Sequence, residues 1–415
     1  MADVSPDITG LFTHCHNATK GDDFVGIKVT SSDFEVVFPI GYKIPDKDVE
    51  IRRDIRRLVY ILGQYTEKNE RNLPAKAVGV RVAVGFPLTA YMNVIEYFYS
   101  IGGNYYIERE TNYKLSIKGR QDWSRTLKRI LPLVQGDNEL PSFIYTNFIV
   151  REKTPNDNSL ITEINRYCVY EAFKIIGWMY SDYHPADIQT TRSKELWPNA
   201  IIKRLTSTND DQKQRLFQSM LDILRYEGQV PHYNELYYGT LSFENVWERM
   251  IDSMFGTEDR REYQPKTMWV LDDGNKKVNM SLRPDSIMYY SNEYYILDAK
   301  YYQYGVTGSV NDLPSTESIT KQILYGEHIE LKLGYDPNKI HNIFIMPGDL
   351  DANVHDRHLP KERRGEAYCI WRGRDKCYNM IVGVVIDIRY VMYNCNKRDE
   401  RIMAELAGLC KFSIN

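Results

Sequence analysis

Residues 281–302, SLRPDSIMYYSNEYYILDAKYY, constrain the fold of this chain more than any other stretch. Two runs rich in aliphatic and aromatic residues, Ser286–Tyr290 and Tyr294–Tyr302, flank a Ser291-Asn292-Glu293 turn. That is the pattern of an antiparallel hairpin. A hairpin belongs in a sheet. From Pro231 onward the chain reads as a helix, then strands, a helix and further strands, which predicts an α/β unit around a central sheet.

Two charges interrupt the second strand. Asp298 and Lys300 are two residues apart, so their side chains point to the same face. Asp285, held after Pro284, opens the first strand and can meet Asp298 across the hairpin. Two carboxylates beside one lysine suit metal-assisted phosphodiester hydrolysis. The carboxylates would hold Mg²⁺ (or Mn²⁺), a hard ion that prefers oxygen ligands and keeps several waters. Lys300 would orient the attacking water or offset charge on the phosphate. The plainer alternative is a surface hairpin with a cross-strand ion pair, worth less than about 1 kcal/mol.

Two flanking helices add candidates. In LSFENVWERMIDSMFG (241–256) a buried stripe of Phe243, Val246, Trp247, Met250 and Met254 leaves Glu244 and Glu248 four residues apart. Either acid could reach the site, and Glu248, directly after Trp247, is preferred; a solvated helix face is the alternative. In SITKQILYGEHI (318–329) Lys321, Gln322 and Tyr325 share a neighbourhood and could hydrogen-bond a phosphate or brace Asp298, or simply pack.

Elsewhere FVGIKVTSSDFEVVFPIGY alternates as short strands, followed by a helix carrying Ile51, Ile55, Leu58, Val59 and Leu62 on one side. The arginines at 52, 53, 56 and 57 read as its solvated face. The polar segment 151–159 reads as a linker or long loop, 160–178 as a helix, and 200–226 as a helix broken by STNDDQKQ.

With 415 residues and a net charge of −3, divided +1 and −4 about position 231, the chain is not a generally basic coat for nucleic acid. Local basic stretches do occur. Residues 114–129 carry six cations against one acid, and Lys118, Arg120, Trp123 and Arg125 suit nucleic-acid or partner contact. The alternative is a helix with Trp123, Leu127 and Ile130 on a buried stripe. Residues 357–376 hold seven cations against three acids, among them Arg363 and Arg364, and suit a phosphate-tracking loop, with a plain surface loop as the alternative. His14-Cys15-His16 lacks the further ligands of a zinc site.

No apolar run approaches the roughly 20 residues of a membrane span. The N-terminus does not read as a signal peptide, and six scattered cysteines without a CxxC pair point to a reduced cytoplasm. No GxxxxGK[ST] phosphate loop occurs, so any nucleotide dependence would come from another protein.

Pro284-Asp285 followed by Asp298-Ala299-Lys300 looks like the PD-(D/E)xK nuclease signature, and the upstream glutamate and Gln322-x-x-Tyr325 are similar to accessory motifs of that superfamily. FVGIKV…FEVVFPIGY, KGRQDWSRTLK (118–128), LITEINRYCVYEAFKIIGW and YGTLSFENVWERM resemble the LlaJI family of restriction endonucleases across nearly the whole chain. The resemblance implies an McrC-like nuclease subunit working with a separate McrB-like AAA+ GTPase ring that recognises DNA and drives translocation. It implies Asp285, Asp298 and, less directly, Glu248 as metal ligands and Lys300 as the catalytic lysine. Cleavage would leave 5′-phosphate and 3′-hydroxyl ends.

The expectation is therefore an α/β chain with an N-terminal adaptor region (1–155), a helical connector (156–231) and a nuclease domain with a central mixed sheet (232–415). It would cut double-stranded DNA, with two copies needed for a double-strand break. A stand-alone enzyme reading its own site and a non-catalytic regulator of the GTPase are the competing readings.

Overall fold

The computed structural model describes residues 10–30, 33–66, 86–136, 142–188, 193–229, 235–279 and 282–410. The first nine residues, the boundary at Pro231 and Ser281 of the hairpin stretch lie outside them. The fold is mixed α/β, as expected. It divides into two compact units, Met1–Phe86 with His232–Asn415, and Pro87–Pro231.

The first unit opens with the alternating strands. β1 (Cys15–Asn17) runs parallel to β3 (Phe34–Phe38), which pairs antiparallel with β2 (Val25–Thr30). The helix Asp48–Tyr65 then buries Ile51, Ile55, Leu58, Val59 and Leu62, the predicted stripe. Its arginine side is not merely solvated. Arg57 donates to the carbonyls of Met392 (2.5 Å) and Tyr393 (3.1 Å), at the end of the helix Ile388–Asn394. The last carbonyls of a helix lack the amide partners of its interior, and a guanidinium supplies both donors and the favourable charge. Beside them the buried Asp54 carboxylate accepts from Arg389 Nε at 2.7 Å and from the Tyr393 hydroxyl at 2.5 Å.

The second unit carries β4 (Glu108–Ser116), β5 (Arg120–Gln121), β6 (Leu133–Gln135), β7 (Ser142–Ile144) and β8 (Phe148–Asn156). β8 lies between β4 and β5, and β6 pairs with β7. The segment expected to be a linker is thus the end of β8. Pro155 is tolerated because β5 pairs only with Val150 and Arg151, leaving β8 a single ladder further along. Ser159 then caps the predicted helix Leu160–Ile176 through its side chain. Of the polar interruption, residues 207–210 separate the helices Trp197–Thr206 and Asp211–Gln229, and residues 211–214 open the second helix.

The chain then returns to the first unit. β9 (Glu235–Thr240) pairs antiparallel with β2, completing a sheet ordered β1-β3-β2-β9. Gly26 and Gly239 face each other there, and a Cβ on either would meet the opposing backbone at 2.2–2.3 Å. The chain-order division into 1–155, 156–231 and 232–415 does not follow these units. The short strands of the first 86 residues pair among themselves, but β2 finds its second partner, β9, only from Glu235 onward.

After a ribbon of β10 (Met268–Val270) and β11 (Lys276–Val278) comes the main sheet. It consists of β12 (Ser286–Tyr290), β13 (Glu293–Ala299), β14 (Ile340–Gly348), β15 (Lys361–Tyr368) and β16 (Met380–Asp387), in the order β12-β13-β14-β16-β15. β13, β14 and β16 are mutually parallel, and the outer strands run antiparallel to their neighbours. The crossover from β13 to β14 is the helix Thr316–Leu333. Its Ile323, Tyr325 and Ile329 pack with Ile287, Ile296, Ile340 and Phe344. Tyr295, Leu297 and Ala299 alternate to the opposite face and are buried as well, so β13 is covered on both sides. The helix Phe243–Phe255 contacts β12 and β13, and the buried Trp247 donates its indole N–H to the Ile345 carbonyl at 3.3 Å.

Asp54→Ala takes from the Arg389 guanidinium, only 15% exposed, its close carboxylate and leaves only Glu50 at 4.0 Å. It should destabilise the chain by roughly 3–5 kcal/mol, read as a lowered denaturation midpoint. An unchanged midpoint would show that the clamp is dispensable.

Candidate active site

The hairpin register places the candidate residues. Ser291 and Asn292 adopt φ of 52° and 61°, which makes the turn a two-residue loop of the primed type favoured by right-twisted strands. Glu293, expected in the turn, instead pairs with Tyr290, and Ser286 pairs with Leu297. Asp285 therefore stands level with Asp298. β13 ends at Ala299, short of the expected Tyr302, and Lys300 is kept in line by its N–H bond to the Ile345 carbonyl at 2.8 Å.

Asp285 Oδ2 accepts the Ala299 N–H at 2.9 Å, and Lys300 Nζ lies 2.8 Å from Asp298 Oδ2. Burial pushes the Asp285 carboxyl well above the usual carboxylate range. The charge of Asp298, a hydrogen bond with it, and Glu248 add to this, against the Ala299 N–H. Glu248 is raised by burial first; Arg283 opposes that rise and Asp298 reinforces it. For Lys300, burial works against the ammonium, but Asp298 and then Asp285 more than restore it, and its pKa is raised. Glu244 acts elsewhere, on Tyr301, whose phenol is raised by burial first and by this carboxylate in smaller part.

Crowding carboxylates into a poorly solvated pocket is unfavourable unless a cation joins them, and all-oxygen donors suit a hard divalent ion. The residues therefore fit Mg²⁺. Among the described residues no group of three or more His, Cys, Asp or Glu side chains forms a ready-made cage. The side chains that could hold such an ion are Asp285 and Asp298, with Glu248 as their electrostatic neighbour.

The downstream helix supports this pair from behind. Gln322 is buried, and its Nε2 donates to the Ile296 carbonyl at 2.9 Å and to Asn342 Oδ1 at 3.3 Å. It braces β13 and β14 and is not placed to meet a phosphate. The Tyr325 hydroxyl donates to the Arg283 carbonyl at 2.8 Å, holding the residues that lead into Pro284-Asp285, while Lys321 lies 5.9 Å from the Tyr325 ring.

Two cations at the site escaped the sequence reading. Arg260, in the turn Arg260–Tyr263, donates Nη1 to the Asp285 carbonyl at 2.6 Å, and Arg283 is exposed and acts electrostatically on Glu248. Arg283 directly precedes the Pro-Asp pair and could have been noticed. Arg260 sits in a short turn with no periodicity to mark it.

The weaker candidates fall on other elements. Lys118, Arg120, Trp123 and Arg125 belong to the second unit and are exposed. The buried stripe proposed for Trp123, Leu127 and Ile130 does not form, since Trp123 is 50% and Leu127 60% exposed; Thr126 is the buried residue. Trp123 packs edge-on against Tyr145 and Phe148, and Arg125 stacks over Tyr113 at 3.8 Å. Arg363 and Arg364 sit on β15, two strands beyond β14, and pair with Glu366 and Glu362.

A family model described as LlaJI restriction endonuclease matches residues 24–358. The chain belongs to the LlaJI restriction endonuclease family. A curated relative of this LlaJI-family chain is the type II restriction enzyme BsuMI component YdjA of Bacillus subtilis (strain 168), 28% identical over 266 residues. The match covers 60% of this chain and spans 56% of the relative's length. Among solved structures the chain is similar to one described as a refined half-complex from a tetradecameric assembly of Thermococcus gammatolerans McrB AAA+ hexamers with bound McrC. That likeness has a TM-score of 0.37 and 12% identity, covering 92% of this chain and 82% of that one. No helix among the described residues is long and apolar enough to cross a membrane.

A carboxyl whose pKa is raised by folding makes stability fall as pH climbs from the ordinary carboxylate range toward the raised value, because the folded state holds the proton more tightly. Without divalent ions Asp285→Asn should therefore melt higher than wild type at pH 8. The difference should shrink on acidification and on adding Mg²⁺ to the wild type. Equal melting temperatures under all three conditions would show that Asp285 carries no electrostatic strain.

Proposed function

We propose that this chain is the Mg²⁺-dependent endodeoxyribonuclease subunit of a restriction system, built on the PD-(D/E)xK plan. The observation that carries this reading is the meeting of Asp285, Asp298 and Lys300 at the end of one buried hairpin, with Glu248 close by. A restriction endonuclease family is the setting in which that chemistry is used, and the relative described as a component of a type II enzyme fits a subunit role.

Asp285 and Asp298 are the residues that would hold the ion. When bound, the ion polarises the scissile phosphate and lowers the pKa of a water. Asp285 is kept in place by the Ala299 N–H, the residues leading into it by Tyr325, and the neighbouring β13 by Gln322. Lys300, anchored on Asp298, presents a fixed ammonium to the attacking water or to a phosphate oxygen. Arg283, exposed beside the acids, offers a cation to the DNA backbone. One such site cuts one strand, so a double-strand break takes two copies.

The partner in this reading is a cytoplasmic McrB-like AAA+ GTPase ring. The resemblance to McrC-like subunits supports it, as does the lack of a phosphate loop in the sequence. The exposed residues around Trp123 and Arg125 are assigned to that partner or to DNA.

Plasmid cleavage with Mg²⁺, run with and without the GTPase and GTP, tests the reading. Asp298→Ala and Lys300→Ala should each reduce the rate by at least about 10²-fold while leaving complex formation intact. Variants that cut at the wild-type rate would remove the site from the mechanism. A wild type that never cuts yet raises GTP turnover would make the chain a regulator, and one that cuts alone would make it a stand-alone enzyme.

A further inference from the structure

Among the described residues the ribbon of β10 and β11 has no third strand, and every residue from Lys266 to Val278 is exposed. Met268, Trp269, Val270, Leu271 and Val278 are each at least half exposed, Trp269 at 63%. A lone two-stranded ribbon is marginal in water, and so much uncovered apolar surface in one element marks a contact surface.

Its local structure is nevertheless well specified. Gly274, at φ 84°, closes the tip, where the Leu271 N–H bonds the Asn275 carbonyl at 2.9 Å and Asp273 is occupied by the N–H and side chain of Asn275. At the foot, Asn279 Nδ2 donates to Thr267 Oγ1 at 3.0 Å, and the Leu282 N–H bonds the Pro265 carbonyl at 3.2 Å. The register pairs Met268 with Val278, Trp269 with Lys277 and Val270 with Lys276. Opposed residues share a face, so one face presents Trp269 beside Lys277 and the other Val270 beside Lys276. Among the described residues Lys266, Lys276 and Lys277 form no ion pair.

Both feet of the ribbon stand at the catalytic carboxylate. Leu282 is followed by Arg283 and Asp285, and Pro265 follows the Arg260 turn that holds the Asp285 carbonyl. Six residues of extended chain reach about 20 Å, enough to pass from a phosphate at the site into a neighbouring groove. We propose that the ribbon is a DNA-engaging arm. It lies in a groove of the duplex whose scissile phosphate sits at Asp285 and Asp298, with Lys266, Lys276 and Lys277 on the backbone and Trp269 and its apolar neighbours against the groove. A two-stranded ribbon has the dimensions of a major-groove reader. A second copy of this chain is a poorer occupant, because facing ribbons would bring unpaired lysines of like charge together on either face.

This inference rests on the nuclease reading, and the experiment separates the two. Binding of the full chain to a fluorescent duplex of about three helical turns is followed by anisotropy across a salt series, with Ca²⁺ replacing Mg²⁺ to prevent cutting. Lys276→Glu/Lys277→Glu should weaken binding at least about tenfold, and Lys276→Gln/Lys277→Gln should make the salt dependence shallower by about two contacts. Trp269→Ala should weaken binding without changing the salt slope. All variants should melt as wild type does, since these side chains are exposed. Wild-type affinity in every variant, alongside a wild type that binds and cuts, would overturn the arm alone. The same affinity with a smaller assembly mass would assign the ribbon to a second copy and overturn it too. A wild type that neither binds nor cuts DNA would overturn the nuclease reading and the arm together.

Discussion

The arrangement depends on one constraint, the register of the β12–β13 hairpin. The two left-handed residues Ser291 and Asn292 set that register, and a shift by one residue would turn Asp298 to the opposite face. With Asp285 level with Asp298, the Ala299 N–H fixes one carboxylate and Lys300 the other. Burial then makes their mutual repulsion matter, because low local polarity strengthens it. Under the proposed function, a divalent cation between the two acids would offset that repulsion.

The remainder of the first unit keeps this pocket rigid. β13 and β14 are buried on both faces, and Trp247, Gln322 and Tyr325 each bond backbone close to the acids. The first 86 residues join the same body. They contribute β2 as the partner of β9, and the helix Asp48–Tyr65 as the partner of Ile388–Asn394 through Asp54 and Arg389.

Much of the candidate site was legible in the sequence because its signals are local. A hairpin with a short turn, an Asp-x-Lys spacing and a Pro-Asp at the strand entrance all lie within about twenty residues of chain. The helices at 48–65, 160–176 and 243–255 were legible from periodicity. What failed was non-local. Pairing of β2 with β9 across some two hundred residues leaves no mark in either strand, so the division into consecutive domains missed it. The polar end of β8 resembled a linker because only one ladder constrains it. Trp123 and Leu127 suggested a buried stripe, yet apolar spacing says nothing about whether a face is covered.

The most direct measurement of the central claim is anomalous diffraction at the manganese edge from crystals of the chain grown with Mn²⁺. The account predicts a peak in contact with the carboxylate oxygens of Asp285 and Asp298, with Lys300 alongside. A map without that peak, in which Asp285 and Asp298 still bond only the Ala299 N–H and Lys300, would contradict it.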